Sequence, residues 1–261
     1  MSKIGFIGMG NMAQALCDGF IRNKAVRAKD VYAYAPHADK LKKNAEKIGF
    51  VPLFGVKEVA EKADIIVMAC KPYQIEGVLS EIGDLLKGKA LVSIAAGWDL
   101  ETYEAFLDPS VRVQYVLPNT AVRVGEGIAV FEKAHSLKAA ERKEIRKLFE
   151  TVGTVEELPT HLMDIGTAIC GCAGAYVDMF MEAYADAAVK YGIPRADAYR
   201  MVSQMVLGAA KLQQVTSEHP GVLKDAVCSP GGTTIRGVAA LEEAGLRNAC
   251  IYSVDAIMNP I

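Results

Sequence analysis

Nothing in this sequence marks a metal centre, a nucleic-acid surface or a membrane span. There is no C-x-x-C pair among its six cysteines, and Cys170-Gly171-Cys172 is too tight for the usual zinc knuckle, so no metal site is expected. The 29 Lys and Arg residues against 31 Asp and Glu leave a formal net charge of -2, too little for the broad basic field that nucleic acid selects. The longest weakly polar run, Ile165 to Val177, is bounded by Asp164 and Asp178. It is shorter than the roughly 20 residues a bilayer span needs, and its Gly, Ala and Cys suit close helix packing. No basic segment followed by an apolar core precedes Gly5, so the expectation is a cytoplasmic protein whose thiols are reduced and mostly buried for packing. What remains is ordinary globular composition, 51% hydrophobic and 23% charged over 261 residues.

What the chain does have is alternation. From Lys3 to about Thr160, short β-branched runs are followed by stretches of helical spacing, which predicts parallel βαβ architecture. Strands are expected at Lys3–Ile7, Val31–Tyr34, Asp64–Ala69, Ala90–Ile94, Val111–Val116, Ile128–Phe131 and Val155–Leu158, with helices such as Asn11–Arg22, Ala38–Ile48, Tyr73–Leu86 and Leu137–Thr151 between them. Continuous apolar runs such as Ile65-Ile66-Val67-Met68 imply burial on both faces, as a doubly wound sheet requires. After Leu158-Pro159 the strand signals stop. Thr160 to Tyr191 reads as one long helix, Gly192-Ile193-Pro194 ends it, and further helices are expected at Arg195–Ser217, Pro220–Val227, Thr234–Ala244 and Arg247–Ile261. The expected organisation is therefore an α/β domain over residues 1–159 and an all-α domain over 160–261. About 30 residues of helix would extend about 45 Å, more than so small a lobe can cover, so a homodimer built on the second half is expected.

The chemistry begins at Gly8-Met9-Gly10-Asn11-Met12-Ala13, placed between the first strand and the first helix. A G-x-G-x-x-A hexad alone is weak, but a readable strand before it and helix after it supply the context of a dinucleotide site. Gly8 permits the tight turn, Gly10 lets the backbone approach a pyrophosphate, and the N–H groups from Asn11 and Met12 onward hold it. An NAD enzyme usually ends its second strand on an acidic residue. Here Tyr34 is followed by Ala35-Pro36-His37, with Lys40 a turn later, which favours a 2′-phosphate and hence NADPH, with NADH still open. Three more segments arrive at the carboxyl edge of the sheet. Lys71-Pro72, Ser93 to Gly97 with Ala95 between, and Pro118-Asn119-Thr120 all converge there, and Asn119 can both donate and accept beside a nicotinamide or a substrate.

In the second half, Ser229-Pro230-Gly231-Gly232-Thr233-Thr234 turns into a helix start. Hydroxyls and free backbone N–H groups in one small concavity suit a small carboxylate; the plain alternative is a capped connection between helices.

With these motifs in view, the sequence resembles the pyrroline-5-carboxylate reductase family nearly end to end. The resemblance takes in Phe6 to Met12, Lys71-Pro72, Ser93–Gly97, Pro118-Asn119-Thr120, Gly125-Glu126-Gly127, Ala175-Tyr176, Glu182-Ala183, His219-Pro220, Ser229–Thr234 and Leu241-Glu242. It implies a Rossmann domain, a helical domain interleaved with that of a dimer mate, and dimers that often assemble into rings of five, a decamer. It implies reduction of the C=N bond of Δ1-pyrroline-5-carboxylate to L-proline by NADPH, at a site shared between subunits. The cofactor would lie on Gly8, Gly10, Asn11, Met12, Ala35, His37, Lys71, Pro72, Ala95, Gly97 and Asn119 of one chain. The substrate carboxylate would meet Ser229, Gly231, Gly232, Thr233 and Thr234 of the other, with Asn119 nearby and Thr234 as the catalytic residue at the ring nitrogen.

The chain departs from the family in three places. Ala121 stands where a proline is common after Asn119-Thr120, Cys170-Gly171-Cys172-Ala173-Gly174 replaces a Ser-Gly-Ser-Gly-Pro run, and Ala35-Pro36 stands where many relatives carry Asn-Arg. Two rivals remain on the residues alone. A β-hydroxyacid dehydrogenase-like oxidoreductase would place a catalytic lysine in the long helix, where none occurs before Lys190. A non-catalytic NADPH-binding protein would have no use for the Ser229–Thr234 loop.

Overall fold

A computed structural model describes residues 2–259, which divide into two compact units between Gly171 and Cys172. In the first, eight strands form one sheet: β1 (Ile4–Ile7), β2 (Val31–Tyr34), β3 (Val51–Pro52), β4 (Ile65–Met68), β5 (Ala90–Ser93), β6 (Arg112–Pro118), β7 (Gly127–His135) and β8 (Gly153–Leu158). Their order is β3-β2-β1-β4-β5-β6-β7-β8. The first six strands are mutually parallel, β7 is antiparallel to β6, and β8 is parallel to β7. The reversal at β7 follows from its connection. Residues 119–126 are too few for a crossover, so the chain must return beside the strand it has just left.

Strand side chains alternate between two cores. Ile4, Phe6, Ile65, Val67 and Val92 enter one; Ile7, Ile66, Met68 and Leu91 enter the other. Both faces are covered, which is why these strands are apolar throughout rather than alternating. Helices α1 (Asn11–Arg22), α2 (Ala38–Ile48), α3 (Val56–Lys62), α4 (Pro72–Ile82), α5 (Leu100–Glu104) and α6 (Ala139–Glu150) provide the cover. Phe149 of α6 meets Phe20 and Phe131 edge-on, with ring centroids 5.4 and 5.3 Å apart. Each such buried ring contributes about 1.5–3 kcal/mol by leaving water.

The sequence pattern misses β3, α3 and α5, all of seven residues or fewer and thus too short to show a period. β3 is also an edge strand that contains Pro52, where proline is tolerated but hides the strand signal. The expected single helix from Thr160 to Tyr191 is broken into pieces: a 3₁₀ turn at Thr160–Leu162, α7 (Met163–Gly166), a π-helical stretch Thr167–Cys172 and α8 (Ala173–Lys190). Met163 is buried among Tyr115, Leu117 and Val130 of the sheet, and Asn119 Nδ2 donates to the Cys170 carbonyl at 3.2 Å. Residues 160–171 thus pack with the sheet, although the secondary structure changes at Pro159.

The second unit consists of α8, α9 (Arg195–Thr216), α10 (Pro220–Ala226), α11 (Thr233–Glu243) and α12 (Leu246–Met258). Helices α9 to α12 match expectation to within a residue or two, apart from Pro260 and Ile261 of the last, which lie outside the described residues. Its buried core is small, centred on Ala185, Ala198 and Val202 between α8 and α9. Met179, Tyr191, Met201, Leu207, Leu212 and Ile251 are exposed. No helix among the described residues is long and apolar enough to cross a membrane.

Candidate active site

The carboxyl ends of β1, β2, β4 and β5 open into a groove of about 870 Å³. It lies over the junction of β1 and β4, where the order of the strands reverses direction from the chain start, the place where open α/β sheets bind ligands. Gly8 leaves β1 with φ +99°, and a Cβ there would come within 2.5 Å of the backbone of Ala69 and Cys70. Only glycine fits. Its N–H donates to the Tyr34 carbonyl at 2.9 Å, tying the turn to β2.

Gly10 is different. It is the N-cap of α1 with φ -74°, and a Cβ there would meet no atom within 4 Å. The fold itself gives no reason for glycine at this position, but a ligand pressed against the backbone does. No side chain caps α1 and no acidic residue lies in its first turn, so the N–H groups of Asn11, Met12 and Ala13 face the groove with no intrahelical partner. Ala13 is buried and seats the helix on the sheet. These residues fit the pyrophosphate of a dinucleotide.

Ala35, Pro36, His37 and Lys40 line the groove at the end of β2, and the one nearby carboxylate, Asp39 in the first turn of α2, is not among the lining residues. Lys71, the N-cap of α4, and Pro72, its first residue, form the opposite wall, and the Lys71 N–H donates to Gln74 Oε1 at 3.1 Å. Ile94, Ala95 and Ala96 close the far end beyond β5. Cys70 also lines the wall, but burial pushes its thiol up to about 11, so it is no nucleophile near neutral pH.

The structure therefore gathers Gly8, Gly10, Asn11, Met12, Ala35, His37, Lys71, Pro72 and Ala95 around one groove. Gly97 and Asn119 are not among its lining residues. Asn119 instead bridges two segments of its own unit: Nδ2 donates to Cys170 O and Oδ1 accepts from Ile128 N–H, both at 3.2 Å. Sequence reasoning missed Asn44 and a stripe of α4, namely Tyr73, Gln74, Gly77, Val78 and Glu81. The signal was available: 73, 77 and 81 share a helix face, and they lie opposite the buried Ile75, Leu79 and Ile82.

Ser229, Gly231, Gly232, Thr233 and Thr234 lie together in the second unit. The Gly232 N–H donates to Ser229 O at 3.0 Å, Pro230 occupies the second position of the turn, and Gly231 has φ +66° at the third, the residue pattern of a type II turn. A Cβ at Gly232 would meet Ser229 Oγ at 2.4 Å and the Ser229 carbonyl oxygen at 3.0 Å, so any larger residue there would force the Ser229 hydroxyl to turn away from the loop. Gly232 then caps α11 without a side chain, no acidic residue follows in the first turn, and Thr233 and Thr234 are the exposed first residues of the helix. The result is a second helix N-terminus open to an anion.

Sheet, glycine turn and groove define a Rossmann-type dinucleotide-binding protein. Over 98% of its length the chain is 40% identical to the pyrroline-5-carboxylate reductase of Treponema pallidum, covering 99% of that protein, and 39% identical to that of Escherichia coli, covering 96%. The chain belongs to the pyrroline-5-carboxylate reductase family, and so is an NAD(P)H-dependent oxidoreductase.

Two family models divide the sequence in the same sense. Residues 3–97 match "NADP oxidoreductase coenzyme F420-dependent", and residues 160–260 match "Pyrroline-5-carboxylate reductase dimerisation", which makes the helical half the basis of a homo-oligomer. Among solved structures, the Plasmodium falciparum pyrroline carboxylate reductase with NADP bound is similar at a TM-score of 0.89 and 30% identity, covering 98% of this chain and 95% of that one. The Coxiella burnetii pyrroline-5-carboxylate reductase is similar at 0.88 and 30%, covering 99% and 96%.

Proposed function

We infer that this chain reduces the C=N bond of Δ1-pyrroline-5-carboxylate to give L-proline, with NADPH preferred over NADH. The observation that carries this reading is the presence in one chain of two anion-ready helix starts of different design. The α1 start sits at a sheet edge in a groove of about 870 Å³, and the α11 start sits on a Ser-Pro-Gly-Gly turn flanked by hydroxyls. A bound nicotinamide supplies the hydride, and the protein's own work is to hold and orient.

Gly8, Gly10, Asn11 and Met12 receive the pyrophosphate, His37 and Lys40 the 2′-phosphate, and Lys71, Pro72 and Ala95 shape the path toward the nicotinamide. In this reading Gly97 and Asn119 border the nicotinamide end. Residues 160–261 form the dimerisation and substrate-binding domain. Ser229, Gly231, Gly232 and Thr233 bind the substrate carboxylate through hydroxyls and N–H groups. Thr234 orients the ring nitrogen, and the substrate enters as its iminium, so that no strong protein acid is required at that atom. The functional unit is a cytoplasmic homodimer in which the Ser229–Thr234 loop serves the cofactor of the other subunit, and five such dimers form a decamer.

The direct test uses NADPH deuterated at the transferable position. Deuterium is expected at the proline carbon that was part of the C=N bond; an unlabelled product, or none, contradicts the reading. Replacement of Thr234 by Ala is expected to lower kcat/KM by about 10²-fold, and an unchanged kcat/KM removes its role.

A further inference from the structure

Glu132 of β7 is a charge that packing does not explain. It is 1% exposed, and both groups that hydrogen-bond its carboxylate are neutral. Oε2 accepts from the Leu100 N–H at 3.2 Å, and Oε1 accepts from the Thr160 hydroxyl at 2.6 Å. A buried carboxylate without a cation is costly, and an apolar residue of similar size would fill the same space more cheaply. The Leu100 contact leads back to the groove in three steps. Leu100 opens α5, whose fully buried Tyr103 packs on Trp98 with ring centroids 5.0 Å apart. The Trp98 N–H donates to the Ala95 carbonyl at 3.2 Å, across a turn in which Gly97 has φ +75°. Ala95 and Ala96 then line the far end of the groove.

We propose that Glu132 is a positioning residue for the reduction, a buried carboxylate that fixes α5 and, through it, the 94–97 loop. The proposal rests on the reading that places the nicotinamide beyond β5, and deepens it. Glu132 is not among the residues that line the groove, so it acts through the backbone of the loop and not on the cofactor itself. With five residues, α5 is too short to hold its own start by helix propensity, and a tertiary contact has to set it. Its cap, Asp99, accepts from the Thr102 N–H at 2.9 Å, which leaves the Leu100 N–H for a partner from elsewhere in the fold. Glu132 supplies that partner, with a charge of the sign a helix start favours. The Thr160 hydroxyl grips the other oxygen and so fixes the carboxylate in one orientation. Hydride transfer is steep in geometry, so a loose 94–97 loop is expected to slow the reaction more than it weakens a cofactor held mainly at the α1 and β2 ends.

The test compares Glu132→Gln with Glu132→Leu in the full-length protein. Glutamine keeps both hydrogen bonds, its Oε1 accepting from Leu100 and its Nε2 donating to the Thr160 hydroxyl, while leucine keeps only the volume. Without any ligand, amide hydrogen exchange across residues 94–104 is expected to quicken about tenfold in the leucine variant and to keep the wild-type rate in the glutamine variant. With NADPH and Δ1-pyrroline-5-carboxylate, the leucine variant is expected to lose about tenfold or more in kcat, with KM for NADPH within about twofold of wild type. Its isotope effect with NADPH deuterated at the transferable position is expected to rise, and glutamine to restore both values. Thr160→Val, at an exposed position, is expected to give the same pattern in smaller measure, and it decides the matter if leucine does not fold. Wild-type exchange or wild-type kcat in the variants that lose these bonds overturns this proposal alone. So does a glutamine variant as impaired as the leucine one, because the charge and not the two hydrogen bonds would then be acting. A wild-type protein that neither binds NADPH nor turns over the imine overturns the functional reading and this proposal with it.

Discussion

The glycines of the first turn separate a folding requirement from a binding requirement at single-residue resolution. Gly8 holds a left-handed backbone against Ala69 and Cys70, so Gly8→Ala is expected to lose more than about 2 kcal/mol of stability in denaturant titration. Gly10 has neither constraint, and an alanine at an N-cap in place of glycine costs about 0.5–1 kcal/mol, well under the loss at Gly8. Gly10→Ala is therefore expected to lose no more than about 1 kcal/mol of stability, while its KM for NADPH rises about tenfold or more, roughly 1.4 kcal/mol of binding. Equal damage to stability from both substitutions contradicts the distinction. At the end of β2, Lys40→Ala is expected to raise KM for NADPH several-fold and leave KM for NADH unchanged, and a parallel rise in both contradicts a 2′-phosphate contact. Cys70 adds a pH signature. Its thiol is raised in the folded state, so the folded protein holds that proton more tightly and stability falls as pH climbs from about 9 toward about 11. Thermal unfolding of Cys70→Ala should show a flatter alkaline limb than the wild type across that window.

At the scale of elements, Asn119 shows where reading from sequence reaches its limit. A G-x-G hexad between a strand and a helix is local, and its role could be read from its neighbours in the chain. Asn119 was legible only as a polar side chain arriving at the sheet edge. Its bonds run to Ile128 on β7 and to Cys170 on the π-helical stretch, the second of them 51 positions away, and no local pattern reports such a partner. The same holds for the break in the long helix. The small residues at 171–174 read as close helix packing, whereas the break accompanies Met163 and Cys170 packing against strands far earlier in the chain. The groove-facing stripe of α4 was legible but overlooked, because the buried Ile75, Leu79 and Ile82 dominate its hydrophobic period and draw attention to the opposite face. Removing the Asn119 bridge by Asn119→Ala is expected to cost about 1–3 kcal/mol by chemical denaturation. Unchanged stability with a raised KM would place the side chain on the ligand instead.

For the whole molecule, the two units differ in how far they stand alone. The sheet unit buries both faces in extensive cores, and its fold was legible because buried strands and amphipathic helices repeat in order. The helical unit has a small buried centre and an apolar hollow of about 400 Å³ lined by Tyr184, Tyr191, Met201 and Met205. That surface is what a dimerising half should present, and Met201→Glu is expected to shift the protein toward monomer in sedimentation, with a lower Tm and loss of activity; an intact oligomer contradicts the shared site. The central claim, reduction of a carboxylated cyclic imine, is tested most directly by following NADPH oxidation with Δ1-pyrroline-5-carboxylate beside other cyclic imines and 2-oxoacids. Turnover is expected with the pyrroline carboxylate, with formation of proline and little with the rest. Turnover of an oxoacid with none of the imine would contradict it.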